Sequence, residues 1–212
     1  MNGSAAERLL RGDVADTPPL RTCIALAALG SAAIGMALGG SSGEVLLAGF
    51  AGIKVPLLLV VTTAFCVPSF WVVNSVLGLR DDFGAAMRGL LAAQATLGLM
   101  LGALAPMVVF CSASVRDPYA LTLLDAALFG VGTLAGQRVL ARHYRPLIAR
   151  DARHRVALRG WLLLYAFAGV QVAWVLRPFR GTEGFAVQFM RPEAFEQNAY
   201  VVLAEHVARL FR

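Results

Sequence analysis

Three polar side chains fall within or beside long apolar stretches at similar depth, and together they could bind or move a cation. Asp125 lies about six residues, or about 9 Å of helix, into an apolar run, where an ionisable group needs a partner or water. Gln171 lies about as far from the end of the last apolar run, and the long side chain of Lys54 can reach inward. The sequence predicts a polar cluster of Lys54, Asp125 and Gln171, with Asp125 as cation ligand or proton carrier. A structural ion pair or hydrogen bond that fixes helix register is the alternative, which we favour.

A second group of amides, Asn74, Gln94 and Gln137, is matched in depth toward the other end of the apolar runs. These side chains could line a polar path, although interhelical hydrogen bonds without conduction are the simpler interpretation. Pro68 lies in the middle of the second apolar run and removes a helical hydrogen bond, so a kink is expected there. Pro68 is therefore a candidate hinge, with a role in packing alone as the favoured alternative.

Catalytic, metal-binding and cofactor-binding motifs are missing from the sequence. It contains no GxSxG elbow, no HExxH and no phosphate-cradling glycine loop. The cysteines form no CxxC pair, and the histidines lie outside the apolar runs, which argues against an intramembrane haem. We expect a protein that is not an enzyme and holds no cofactor or metal; a lipid-modifying membrane enzyme is a weaker third hypothesis.

The most basic stretch of the chain covers residues 140–159, and we predict it to be a loop between two apolar runs. Its arginines could contact anionic lipid head groups, each adding about 1 kcal/mol near a charged surface. They could equally be ordinary topogenic charge, which we favour. Nucleic acid is not an expected partner, because the basic residues lie between apolar segments rather than on a separate soluble domain. The candidate head-group contacts are Arg142, Arg145, Arg150, Arg153, Arg155 and Arg159.

Long apolar segments must position all these residues. Of the 212 residues, 58% are hydrophobic and 15% are charged, a composition unlike that of ordinary soluble proteins. From Val55 to Leu77 no residue is charged, and a helix of that length covers about 34 Å, enough for a bilayer core of about 30 Å. A backbone in lipid must satisfy its own hydrogen bonds, so we predict an all-α integral membrane protein, a five-helix bundle. The predicted spans cover residues 22–40, 55–78, 89–110, 119–140 and 158–176.

The segments outside the spans receive separate predictions. Residues 1–21 read as a cytoplasmic leader with a helical turn around Ala5 to Leu10. Residues 45–53 are apolar but would make the second helix too long for a bilayer, so an interfacial or re-entrant piece is expected. We predict that residues 177–212 form an extramembrane cap, because apolar residues recur near helical spacing from Glu193 onward, as in an amphipathic helix. Most arginines fall on the amino-terminal side of a five-span arrangement, which predicts that the N-terminus is inside and the C-terminus outside.

Packing signals are frequent in the apolar runs. Thr63, Cys66, Phe70 and Asn74 share one helical face, which is expected to look into protein rather than lipid. Glycines with GxxxG spacing allow close helix approach, and they predict a packed bundle or an oligomer. These pairs are Gly35 with Gly39, Gly98 with Gly102, and Gly132 with Gly136.

Plentiful packing signals, missing catalytic motifs and sparse intramembrane charge together favour a non-enzymatic structural or accessory subunit of a membrane protein assembly. Its expected partners are the lipid bilayer, including anionic lipids, and other membrane subunits or further copies of itself. The abundance of Arg, Ala and Gly beside a single Lys indicates a GC-rich bacterium, hence the bacterial cytoplasmic membrane. The alternative function is a small-ion channel or secondary transporter that uses the Asp, Lys and Gln cluster.

Overall fold

The computed structural model describes residues 4–11, 17–115, 117–177, 179–181 and 188–190. Almost all of this described chain is helical, as its apolar sequence predicts. Five of the helices are long and apolar enough to cross a membrane, which confirms the predicted class of all-α, multi-pass membrane protein. A 3-10 turn over Arg80–Asp82 precedes the fourth helix. The helices are α1 (Ala5–Arg11), α2 (Leu20–Gly40), α3 (Val45–Val76), α4 (Phe83–Ser114), α5 (Pro118–Arg150) and α6 (His154–Leu176).

Residues 45–53 are not a separate interfacial or re-entrant piece, contrary to the prediction. They form the first turns of α3, which runs unbroken for 32 residues, or about 48 Å. This part of α3 packs against protein: a Cβ placed on Gly35 or Gly39 of α2 would collide with the carbonyls of Ala51 and Leu47. Contact with α2 stabilises these turns, so the helix does not have to begin at the bilayer boundary. Lys54 is consequently the tenth residue of α3 rather than a residue at its entrance.

The basic stretch 140–159 is also not a loop. α5 continues to Arg150 and α6 begins at His154, so only three residues lie between the two helices. The amide of Arg153 donates a 2.8 Å hydrogen bond to Asp151 Oδ1, a local bond typical of an Asp at a tight turn. Arginine is a good helix former, and both helices therefore extend past the predicted spans.

α4 lies at the centre of the bundle. Seven consecutive residues, Ala92 to Gly98, are buried, so this part of α4 is covered on every side. A Cβ on Gly98 would lie 2.5 Å from Ala27 Cα of α2, and one on Gly136 of α5 would lie 2.7 Å from the Ala93 carbonyl oxygen. These close approaches confirm the tight packing predicted from GxxxG spacing. The sequence order of these contacts also gives the helix directions: α2 and α4 are parallel, and α5 is antiparallel to α4.

α3 turns one face toward α6 and the core. Cys66, Phe70 and Asn74 are buried on this face, as predicted, while Thr63 is half-buried. Phe70 packs edge-on against Trp161 of α6, with ring centroids 5.1 Å apart. α3 stays helical through Pro68, which is exposed, so the hinge at this proline remains a prediction.

The two ends of the bundle differ in chemistry. The basic end is where α2, α4 and α6 begin and α3 and α5 end; the serine end is the opposite one, where Ser41 and Ser112 lie. α1, which contains the predicted helical turn, packs near the basic end and buries Leu9 against Ala92 and Val139. The amphipathic helix predicted from Glu193 onward lies outside the described residues.

Candidate functional site

Asp125 is held at the serine end by a cation that the sequence did not indicate. Arg180, four residues after the end of α6, binds both carboxylate oxygens: Nε donates to Oδ2 at 2.5 Å and Nη2 donates to Oδ1 at 2.7 Å. Both side chains are 18% exposed. The deep carboxylate therefore has the partner that its position requires, and this partner is Arg180 rather than Lys54 or Gln171.

Arg180 also ties two further helices to this ion pair. Its Nη1 donates to Ser41 Oγ at the end of α2 (2.9 Å) and to Ser112 Oγ near the end of α4 (2.7 Å). The guanidinium group thus uses four of its five N–H bonds on α2, α4 and α5. Beside it, a groove of about 360 Å³ opens between α2 and α4, lined by Met36, Ala37, Gly40, Ser41, Val109, Ser112 and Ala113.

Lys54 is not bonded to Asp125 in the described chain. Its side chain is fully buried, and its ammonium group sits 5.3 Å from the ring centroid of Phe189, a residue of the carboxyl-terminal segment. Phe189 in turn contacts Phe50 edge-on, with centroids 5.5 Å apart. Gln171 is half-buried on α6. The predicted cluster of Lys54, Asp125 and Gln171 is therefore not assembled around the carboxylate.

The three amides predicted to lie nearer the basic end are buried to different degrees and do not bond to one another. Asn74 donates to the Phe70 carbonyl of its own helix (2.8 Å), and Gln94 accepts a hydrogen bond from the Tyr165 hydroxyl (3.1 Å). Gln137 is half-buried, and its Oε1 has no hydrogen-bond partner among the described residues. The bond from Tyr165 to Gln94 is interhelical, the simpler of the two interpretations, and it joins α6 to α4.

A second polar cluster joins three helices at the basic end. Asp82 precedes α4, and its Oδ2 accepts a 3.1 Å hydrogen bond from Nε2 of His154, the first residue of α6. Its Oδ1 lies 3.8 Å from Arg150 Nη1, at the end of α5. His154 is fully buried, while its Nδ1 has no partner among the described residues. Neither Asp82 nor His154 was predicted to form a site, because both look like ordinary loop residues in the sequence.

The α5–α6 turn is bonded to the end of α3. Arg153 donates from Nη2 to Asp151 Oδ2 (2.6 Å) and from Nη1 to the Leu77 carbonyl (2.7 Å). The hydrogen bonds from the Arg153 side chain and backbone hold the pKa of Asp151 below its usual value. The side-chain hydrogen bond to Asp151 and the negative charge of that carboxylate raise the pKa of Arg153. The carboxylate and guanidinium are therefore both charged at neutral pH.

The amino-terminal segment is fastened to α5. Arg142 Nη1 donates a 3.1 Å hydrogen bond to the Leu10 carbonyl of α1. In the neutral ring of His143, Nδ1–H donates to the Val139 carbonyl (3.0 Å), which leaves Nε2 to accept from the Thr17 hydroxyl (3.1 Å). Arg142, Arg150 and Arg153 thus have protein partners, whereas Arg145, Arg155 and Arg159 are exposed and make no such bond in the described chain.

Fold and geometry together define a multi-pass α-helical membrane protein whose polar side chains mainly join its helices. In the described part of the chain, no group of three or more His, Cys, Asp or Glu residues could hold a metal ion. No family model, curated protein or solved structure matches the sequence. The proposal for its function therefore rests on the geometry.

Proposed function

We propose that this chain is a non-enzymatic structural or accessory subunit of a membrane protein assembly. Its amino terminus would lie inside and its carboxyl terminus outside a bacterial cytoplasmic membrane. The observation that carries the proposal is the bonding of Asp125. A transport site needs a carboxylate free to exchange a cation or proton, but both oxygens of Asp125 are bonded to Arg180. The ion pair and the two serine hydrogen bonds of Arg180 instead join α2, α4 and α5 to the segment after α6.

Other polar groups in the helices support the same proposal, because they bond to their own backbone. Ser31, Thr63, Thr96 and Ser112 each donate to a carbonyl one turn earlier, a common way to satisfy a hydroxyl in a membrane helix. Both ends of the described chain are fastened to the bundle by side-chain bonds. Such a rigid unit suits a subunit that supports others.

The outer surface of the bundle is suited to contact lipid or other helices. Large apolar side chains are exposed along α3 and α6, including Phe65 (69%) and Leu163 (74%). Lipid tails, other subunits or a second copy of the chain would cover them. In the proposed assembly, part of this surface lies against partner helices.

A second candidate function is the passage of a small ion. It is favoured by the full burial of Lys54 and by buried oxygens of Thr62, Asn74 and Gln137 that have no hydrogen-bond partner among the described residues. Water in a polar path would satisfy these oxygens, since unpaired polar groups in a membrane are costly.

Copurification tests the first proposal. A tagged chain expressed at its native level would be cross-linked in intact membranes, solubilised in mild detergent and sized by chromatography. We expect a defined complex with other membrane proteins in fixed stoichiometry. Recovery of the protein only as a monomer, from cross-linked membranes as well as from detergent, would contradict an accessory-subunit role.

Flux measurements separate the two candidates. Proteoliposomes with the wild type or with Asp125→Asn would be loaded with a fluorescent pH or potential indicator. A structural subunit leaves flux at the background of empty liposomes in both forms. Flux above background in the wild type that is lost in Asp125→Asn, but kept in a Glu44→Gln control at an exposed acid, would favour the transporter.

A further inference from the structure

The arginines around the α5–α6 hairpin fall into two classes that the sequence does not separate. In one class the guanidinium groups have a protein partner: Arg142 and Arg153 donate hydrogen bonds, and Arg150 forms an ion pair with Asp82. In the other class the side chains are exposed and have no hydrogen bond, ion pair or ring contact within the described ranges. This free class consists of Arg138 and Arg145 on α5 and Arg155 and Arg159 on α6.

Nearby carboxylates do not neutralise the free arginines. Asp82, at the start of α4, is bonded to His154 and lies near Arg150. Asp151, in the hairpin turn, is bonded to Arg153. The carboxylates of Asp82 and Asp151 are thus already paired, and the exposed Asp81 next to them supplies one negative charge against four free arginines. An excess of positive charge therefore remains on the outer face of the hairpin.

Each pair of free arginines begins one helical turn beyond an exposed leucine. On α5, Leu134 is 56% exposed, and Arg138 follows one turn later. α6 runs in the opposite direction, so Arg159 comes first and Leu163, 74% exposed, follows one turn later. In both helices the arginine is therefore nearer the basic end than the leucine. A change from exposed leucine to exposed arginine marks the level at which lipid tails give way to head groups.

The spacing along each helix keeps the free arginines on one face. Arg138 and Arg145 are seven residues apart on α5, and Arg155 and Arg159 are four apart on α6, both of which return to the same side of a helix. In each helix this side is opposite the buried one, which includes Tyr144 on α5. Each helix therefore presents a pair of arginines outward at head-group depth.

We propose that these four arginines form a binding surface for anionic phospholipids in the leaflet at the basic end. A guanidinium group donates two parallel N–H bonds to a phosphate, and it keeps its charge at any physiological pH. Arg142 and Arg153 do not belong to this surface, because they donate hydrogen bonds to the protein, and Arg150 is set apart by its ion pair with Asp82. The proposal goes beyond a subunit function and holds whether or not a protein partner is present.

Lipid retention in nanodiscs tests this surface. The purified chain would be assembled in discs of phosphatidylcholine with a minor share of phosphatidylglycerol, and the lipids retained after gentle extraction would be counted by native mass spectrometry. The wild type should retain phosphatidylglycerol above its share in the disc. An attraction of about 1 kcal/mol per arginine corresponds to a local concentration of anionic head groups about fivefold higher. The variant with all four arginines changed to Gln should therefore retain only the bulk share of phosphatidylglycerol.

The hairpin provides a matched control. Arg138→Gln with Arg145→Gln removes two free charges from α5, and Arg142→Gln with Arg153→Gln removes two hydrogen-bonded charges from α5 and the turn that follows it. We expect the first pair to lose most of the enrichment and the second to keep it while lowering thermal stability. Equal loss from both pairs, or enrichment that survives in the four-site variant, would overturn the proposal. Both leaflets of the disc have one composition, so an inverted topology does not alter the result.

Discussion

At the scale of single residues, the ion pair of Asp125 and Arg180 joins α5 to the segment after α6 at the serine end. Asp125 in an apolar run requires a cation, and that requirement is met in the structure. Arg180 lies 55 positions away in a segment rich in Gly and Pro, where no periodicity indicates how the chain returns to the bundle. Lys54 was predicted as a partner of Asp125 because the second span was expected to begin beside it, whereas α3 begins nine residues earlier.

Removing the Asp125 carboxylate should destabilise the protein. We expect Asp125→Asn to lower the free energy of unfolding by about 1–3 kcal/mol, less than the roughly 3–5 kcal/mol for a fully buried pair, because water screens the partly exposed partners. Thermal unfolding in detergent measures the change. A double variant with Arg180→Gln should be less destabilised than the sum of the two single variants. Strict additivity would show that the two groups do not interact.

Asp151 stays ionised near neutrality, so its contribution to the hairpin turn does not change with pH there. Its pKa is lowered in the folded state, so its contribution to stability is present above the unfolded value of about 3.9 and is lost as the pH falls through the folded value. We expect hydrogen exchange of the Arg153 amide, corrected for intrinsic rates, to be slow and constant from about pH 5 to 8. Asp151→Asn should speed this exchange at pH 7 by several-fold. Equal protection in the variant would mean that the carboxylate does not hold the turn.

At the scale of helices, sequence reasoning found the five spans of the described chain but not where each ends. Apolar runs without charge predict a helix in lipid, and α2 to α6 contain all five predicted spans almost completely. The boundaries depend on tertiary contacts: α3 starts early because α2 covers it, and α5 ends late because its arginines stay helical outside the apolar zone. Local patterns do not contain that information.

Two glycines provide a sharp test of helix packing. A Cβ on Gly98 would meet the α2 backbone at 2.5 Å, while one on Gly130 of α5 has nothing within 4 Å. Gly98→Ala should push α2 from α4 and cost about 1–3 kcal/mol or more. Gly130→Ala should be neutral or stabilise by about 0.5–1 kcal/mol, since alanine favours helix. Thermal unfolding of both variants tests this, and a Gly98→Ala protein as stable as Gly130→Ala would contradict the helix arrangement.

At the scale of the whole molecule, the bundle is closed at both ends by bonds between distant parts of the chain. Arg180 fastens the segment after α6 to the serine end, while Arg142 and His143 fasten the amino-terminal segment to α5. The class of protein follows from composition, but these closures do not, because each joins positions more than 100 residues apart. Their number favours a rigid unit rather than one that alternates between open and closed states.

The proposed orientation places the α5–α6 turn inside the cell and the α2–α3 turn outside. Ser42 and Ala152 are exposed in these two turns, so Ser42→Cys and Ala152→Cys can be labelled in a chain whose own cysteines are replaced by alanine. We expect a membrane-impermeant maleimide to label Ser42→Cys in intact cells and to reach Ala152→Cys only after permeabilisation. The reason is the excess of free arginines at the basic end, which resist translocation across the membrane. Labelling of Ala152→Cys alone in intact cells would reverse the orientation, and with it the leaflet in which the free arginines of α5 and α6 meet anionic lipid.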